Sequence, residues 1–132
     1  MPIQFPFGRP SGGEPLPVVA LRLTDITGRA TSTLTAIVDT GADGTLVPLP
    51  ILRVAGFKSS RIRREFVPGG VGRSVETVVG YQVTVRLGEL TLPSVDVFGS
   101  VHIGDVILGR DVLNQLVFTY DGPRRLLDFL TP

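Results

Sequence analysis

The feature that most restricts this chain is its punctuation. Runs rich in Val, Thr, Leu and Ile stop repeatedly at Gly, Pro or Asp before any long helix can form. Val18 to Thr24, Thr31 to Asp39, Thr45 to Pro48, Arg61 to Val67, Val75 to Leu87, Leu90 to Phe98 and Val106 to Leu108 all read this way. β-branched enrichment between turn residues is the signature of strands joined by tight connections. Turns are expected at Thr27 to Arg29, Pro68 to Gly72, Gly88 to Glu89 and Asp121 to Pro123. Two segments read as short helices. One is Leu49 to Ala55, which Gly56 can end, and the other is Arg110 to Leu116, which opens after Gly109. Val117 to Tyr120 and Leu126 to Leu130 then form a closing hairpin. The expectation is an all-β domain, a small closed barrel with one or two short helices.

Composition narrows the possible functions. Hydrophobic residues are 42% and charged residues 19% of 132, which favours one folded domain with a sizeable core. A net charge of +1 supplies no field to draw nucleic acid or an anionic membrane as the main partner. Without cysteine there is no disulfide, thiolate metal site or Cys nucleophile, and the single His102 rules out a His-rich zinc centre. No metal or cofactor is implied. Residues 1–17 lack the basic cluster and apolar run of a secretory signal, and no run of ~20 apolar residues suits a bilayer. A cytoplasmic location is the expectation that follows. The segment Gly8 to Pro17 has linker composition, so residues 1–15 are expected to form an extended arm, docking one short strand at Ile3 to Phe7, and residues 16–132 the folded domain. Phe5 and Phe7 on that arm would clip onto a neighbouring subunit.

Two motifs carry chemistry. In Ala36-Ile37-Val38-Asp39-Thr40-Gly41-Ala42-Asp43 an apolar strand runs into an acid, a hydroxyl and a glycine. By itself this is also how a strand ends in an ordinary Asp/Gly turn. The second motif, Val106-Ile107-Leu108-Gly109-Arg110-Asp111, places a glycine between an apolar run and a charged pair, where another backbone must come close. Taken in order with the glycine-rich Pro68 to Gly72, these segments resemble the retropepsin family of aspartic peptidases, from about Val18 to the C-terminus.

The resemblance implies the acid-protease barrel and a water-activating pair of carboxylates. Two acids within ~3 Å share one proton, so one can act as base while the other acts as acid. With one Asp-Thr-Gly in the chain, the second acid would be Asp39 of another copy, met on a twofold axis. The expected protein is therefore a homodimeric endopeptidase acting on extended polypeptides. The alternative is a non-catalytic dimerisation or peptide-binding module on the same fold.

By the same resemblance, Thr40 would lock the two active-site loops together. Gly41 would let a substrate backbone lie close, Ala42 would complete the active-site loop, and Asp43 would pair with Arg110, beside Gly109 and Asp111, as rigid support. Gly69, Gly70, Val71 and Gly72 would form a flap over bound peptide, with Ile37, Leu46, Val71 and Ile107 lining side-chain pockets. Gly44 departs from many retroviral relatives, which carry a second acid there, and the C-terminal hairpin replaces their single terminal strand. His102 is expected to be an exposed loop residue. The run Arg61-Ile62-Arg63-Arg64 could attract an acidic substrate or nucleic acid, but four residues are few and a solvated strand edge is the expected reading.

Overall fold

A computed structural model describes residues 3–67 and 75–131. Its main sheet comprises β2 (Val18–Thr24), β3 (Leu34–Val38), β4 (Leu46–Pro48), β5 (Arg63–Phe66), β6 (Glu76–Leu87), β7 (Leu90–Ser100) and β8 (Val106–Leu108). The strand order is β2-β3-β8-β4-β7-β6-β5, and a further β2–β6 pairing closes six of the seven into a barrel. β5 hangs outside the ring, paired to β6 alone. Two short helices, α1 (Leu49–Val54) and α2 (Arg110–Leu113), follow β4 and β8. The all-β barrel expected from the punctuation is the fold observed.

Alternation builds the core. Along β2, Val19, Leu21 and Leu23 point inward while Ala20 and Arg22 face out, the period of two that a pleated strand imposes. They meet Ala36, Val38, Val85, Val97 and Leu108 from the facing strands, and Leu52 of α1 closes one end. Fully burying one such Leu or Val is worth about 1.5–3 kcal/mol. α1 begins with proline at its second residue, where the missing N–H costs nothing, and stops before Gly56, whose φ is +77°. α2 is shorter than the run Arg110 to Leu116 suggested, ending at Leu113.

Three further strands, β1 (Ile3–Pro6), β9 (Phe118–Asp121) and β10 (Leu126–Phe129), form a separate antiparallel sheet in the order β1-β10-β9. Its inner face carries Leu127 and Phe129, both buried. Here the expectation for Phe5 and Phe7 is corrected. Phe5 packs edge-on against Phe129 at 5.8 Å and Phe7 against Tyr120 at 5.3 Å, so both rings anchor to their own chain's C-terminal hairpin. No helix among the described residues is long and apolar enough to cross a membrane.

The crossing of β3, β8 and β4 positions the site. β8 lies parallel to β3, with Val38 beside Leu108, and antiparallel to β4, with Leu46 beside Ile107. The loop leaving β3 and the turn leaving β8 are thereby brought to the same place.

Candidate active site

Asp39 is the first residue beyond β3, and its N–H continues the ladder to the Leu108 carbonyl at 3.0 Å. That bond fixes the backbone from which the carboxylate projects. Oδ1 accepts the Gly41 N–H at 2.8 Å, and the Asp39 carbonyl accepts from Ala42 at 3.2 Å, so the loop turns tightly around the acid. Thr40, Gly41 and Asp39 are all exposed at this turn.

Beneath the loop lies a buried hydrogen-bond network. The Thr45 hydroxyl, in a side chain only 1% exposed, donates to Asp111 Oδ1 at 2.7 Å and accepts the Gly109 N–H at 3.1 Å. Asp111 Oδ2 takes the Thr45 N–H at 3.1 Å, and its Oδ1 also takes the Val112 N–H at 2.9 Å. One carboxylate thus joins the loop to the start of α2 with its bonds satisfied. Thr45 was not among the expected residues, since a Thr before an apolar strand is ordinary in sequence. Gly109 packs against Gly44 so closely that a Cβ would fall 2.6 Å from the Gly44 carbonyl carbon.

The expected Asp43–Arg110 pair is not formed. Arg110 instead donates Nη1 to the Thr40 carbonyl at 2.8 Å and its backbone N–H to the Ala42 carbonyl at 2.8 Å. Arg110 therefore braces the loop through its backbone. Asp43 pairs with Arg64 of β5 at 2.7 Å, and the Arg64 guanidinium lies over the Phe98 ring at 5.4 Å. The physical reason is Gly44, which leaves empty the space that Arg64 Nη1 enters. Arg64 is thus a groove residue as well as part of a strand edge.

A groove of about 530 Å³ opens at Asp39. The active-site loop forms one wall, with Gly41, Ala42, Asp43 and Gly44, and Leu46 and Ile107 line it as expected. β5 and the following residue supply the opposite side through Phe66 and Val67, while Val78, Phe98 and Ile103 add apolar surface. Phe98 and Ile103 were illegible beforehand because apolar residues near strand ends look like core. Ile37 does not line the groove. It stays half-buried beside Ile107, its partner in the parallel register and on the same face of the sheet. Gly69, Gly70, Val71 and Gly72 lie outside the described residues, and the flanking β5 and β6 are antiparallel partners, with Phe66 beside Glu76.

Glu76, at the start of β6, carries the clearest electrostatic perturbation near the groove. Burial pushes its carboxyl up. Hydrogen bonds from Ser100 Oγ at 2.7 Å and His102 Nδ1 at 3.0 Å, and the Val101 N–H at 3.4 Å, outweigh this and hold it below the ordinary carboxylate value. His102 is 53% exposed, as a loop residue should be, yet it has this specific partner. A lowered folded pKa contributes stability above the unfolded value of 4.5, and that contribution disappears as pH falls through the lower folded value. Glu76→Gln is expected to cost about 1–2 kcal/mol at pH 7 and to flatten the acid limb of stability. Urea unfolding of both proteins at pH 7 and pH 3.5 checks it, the gap between them narrowing at the lower pH.

The family model for the gag-polyprotein putative aspartyl protease matches residues 25–115. Comparison with curated protein sequences finds no match. Among solved structures, the chain resembles a retropepsin-like aspartic protease from Rickettsia conorii. The TM-score is 0.66 and the identity 14%, with 98% of this chain and 91% of that one covered. EIAV protease bound to an inhibitor aligns at 22% identity over 76% of this chain and 86% of its own, with a TM-score of 0.48. The retroviral protease-like domain of Ddi1 from Leishmania major aligns at 20% identity over 88% and 96%, also at 0.48. The matched span contains the Asp39 loop, β8 and Gly109, so the chain belongs to the gag-polyprotein aspartyl protease family and has the retropepsin-like fold.

Proposed function

We propose that this protein is an aspartic endopeptidase that hydrolyses extended polypeptides, with Asp39 as the catalytic residue and a second copy supplying its own Asp39 across a twofold axis. One observation carries this reading. An exposed carboxylate, fixed by the Gly41 N–H through one oxygen, opens onto an apolar groove large enough for peptide side chains.

The chemistry requires a pair. One ionised Asp39 removes a proton from water, whose oxygen attacks the scissile carbonyl carbon. The other, protonated, gives its proton to the carbonyl oxygen, forming a neutral tetrahedral diol. The acid that took the water proton then gives it to the leaving nitrogen while the other takes a proton from a diol hydroxyl, so the carbon–nitrogen bond breaks and the pair again holds one proton. A lone carboxylate cannot hold and accept the proton at once, which is why the dimer is part of the mechanism.

Thr40 acts at the axis as a loop lock, and Gly41 and Ala42 admit the substrate backbone. Leu46 and Ile107 receive apolar side chains. Residues 16–132 are the catalytic unit, and the segment before it docks β1 on the C-terminal hairpin. The preferred partners are a second copy and a polypeptide substrate.

Dilution tests this reading. Specific activity on an unbiased peptide library is expected to fall as protein concentration drops below the dimer dissociation constant measured by sedimentation. A rate per subunit that stays constant into the monomer range would overturn it.

A further inference from the structure

We propose that Arg64 makes this groove selective for peptides that carry an acidic side chain, an inference that rests on the peptidase reading of the same groove. β5 lends Arg64, Glu65 and Phe66 to the lining of the groove. Of these, Arg64 is the one that meets Phe98 and Asp43.

Three features hold the guanidinium in place. Its carbon sits 5.4 Å from the Phe98 centroid, within cation–π range. Nη2 donates to Asp43 Oδ2 at 2.7 Å. Nη1 lies 2.8 Å from the point where a Cβ on Gly44 would stand, in space that the glycine leaves open. A long, flexible side chain is thereby fixed in orientation before any ligand arrives, which lowers the entropy cost of binding.

Its donor capacity is largely unspent. A guanidinium has five N–H groups, and among the described residues Asp43 is its one hydrogen-bond partner. The Arg64 side chain is 42% exposed, with its neighbours lining the groove that holds Asp39. A carboxylate can accept two parallel N–H bonds from such a fork, whereas an amide offers one acceptor and an ammonium none.

Asp43 competes only weakly. Its side chain is 71% exposed and the pair has a single short contact, so water screens the attraction. A substrate carboxylate can share the guanidinium or displace Asp43 into solvent. A lysine in the substrate would instead meet a fixed positive charge. The order of preference at this subsite is acidic, then neutral, then basic.

The test uses apolar octapeptides in which Glu is walked through each position, with matched Gln and Lys sets. Wild type is expected to prefer Glu over Gln about 10-fold in kcat/KM at one position. Arg64→Gln should abolish that preference, Arg64→Glu should invert it towards Lys, and Arg64→Lys should retain part of it. Gly44→Ala provides a second route, since its methyl displaces the guanidinium without removing the charge, and it should weaken the same preference.

Dissociation constants of the same peptides on the Asp39→Asn protein separate this inference from the peptidase reading. If wild type cleaves nothing but binding still favours Glu through Arg64, the peptidase reading fails and the acidic subsite stands. Equal Glu and Gln values at every position, or a Glu preference unchanged in Arg64→Gln, would overturn the proposal. If Arg64 only neutralised Asp43, Arg64→Gln would lower stability and leave the peptide ranking as it was, which would overturn the proposal.

Discussion

Asp39→Asn is expected to lower kcat/KM on any cleaved peptide by about 10⁴-fold or more while leaving fold and dimer intact. The size follows from the two roles assigned to one residue type. Each of general-base and general-acid assistance contributes about 10²–10⁴-fold, and the substitution removes both because it changes both subunits. The structural neutrality follows from geometry. Asn retains an oxygen to accept the Gly41 N–H, and the backbone bond from Asp39 to Leu108 does not involve the side chain. Peptide turnover, circular dichroism and sedimentation on the same preparation check the three parts. Turnover within a few-fold of wild type would remove Asp39 from the chemistry.

Gly109→Ala has the largest expected effect on stability. The added Cβ would stand 2.6 Å from the Gly44 carbonyl carbon and 3.0 Å from the Ala42 carbonyl oxygen. These are backbone atoms, so no rotamer change relieves the clash. Space, and not conformation, is the constraint, because Gly109 has φ −98° and ψ −176°, which any residue adopts. Relief requires the β8 turn and the active-site loop to separate, stretching the Arg110–Ala42 and Gly109–Thr45 bonds. A loss of about 3 kcal/mol or more is expected, lowering Tm by about 10 °C. A Tm within about 2 °C of wild type would show that the two loops are not locked as described.

The residues the sequence revealed and those it concealed differ in kind. Strand runs such as Val18 to Thr24 and Val106 to Leu108 were legible because alternation and turn residues act locally. Gly109 was legible too, since a glycine between an apolar run and a charged pair signals a close approach, and the Gly44 backbone is what approaches. The basic run Arg61 to Arg64 raised an acidic substrate as the lesser reading, but the place of Arg64 in the groove was not legible. Its meeting with Asp43 and Phe98 depends on three segments folding together and on a side chain that residue 44 lacks. The expected Asp43–Arg110 bond failed for the same reason, as Asp43 has another cation within reach and Arg110 finds the Thr40 carbonyl. Ile37 shows the limit of a motif taken alone, because it shares a sheet face with the groove-lining Ile107 and still stays outside the groove.

The shared carboxylate pair is tested most directly by mixing. Wild-type and Asp39→Asn subunits are combined at fixed total concentration, allowed to exchange, and assayed on one peptide. If each site needs Asp39 from both copies, only wild-type pairs work and activity falls as the square of the wild-type fraction. An equal mixture then retains about one quarter of full activity. Retention of about one half, with activity linear in the wild-type fraction, would mean that each subunit works alone.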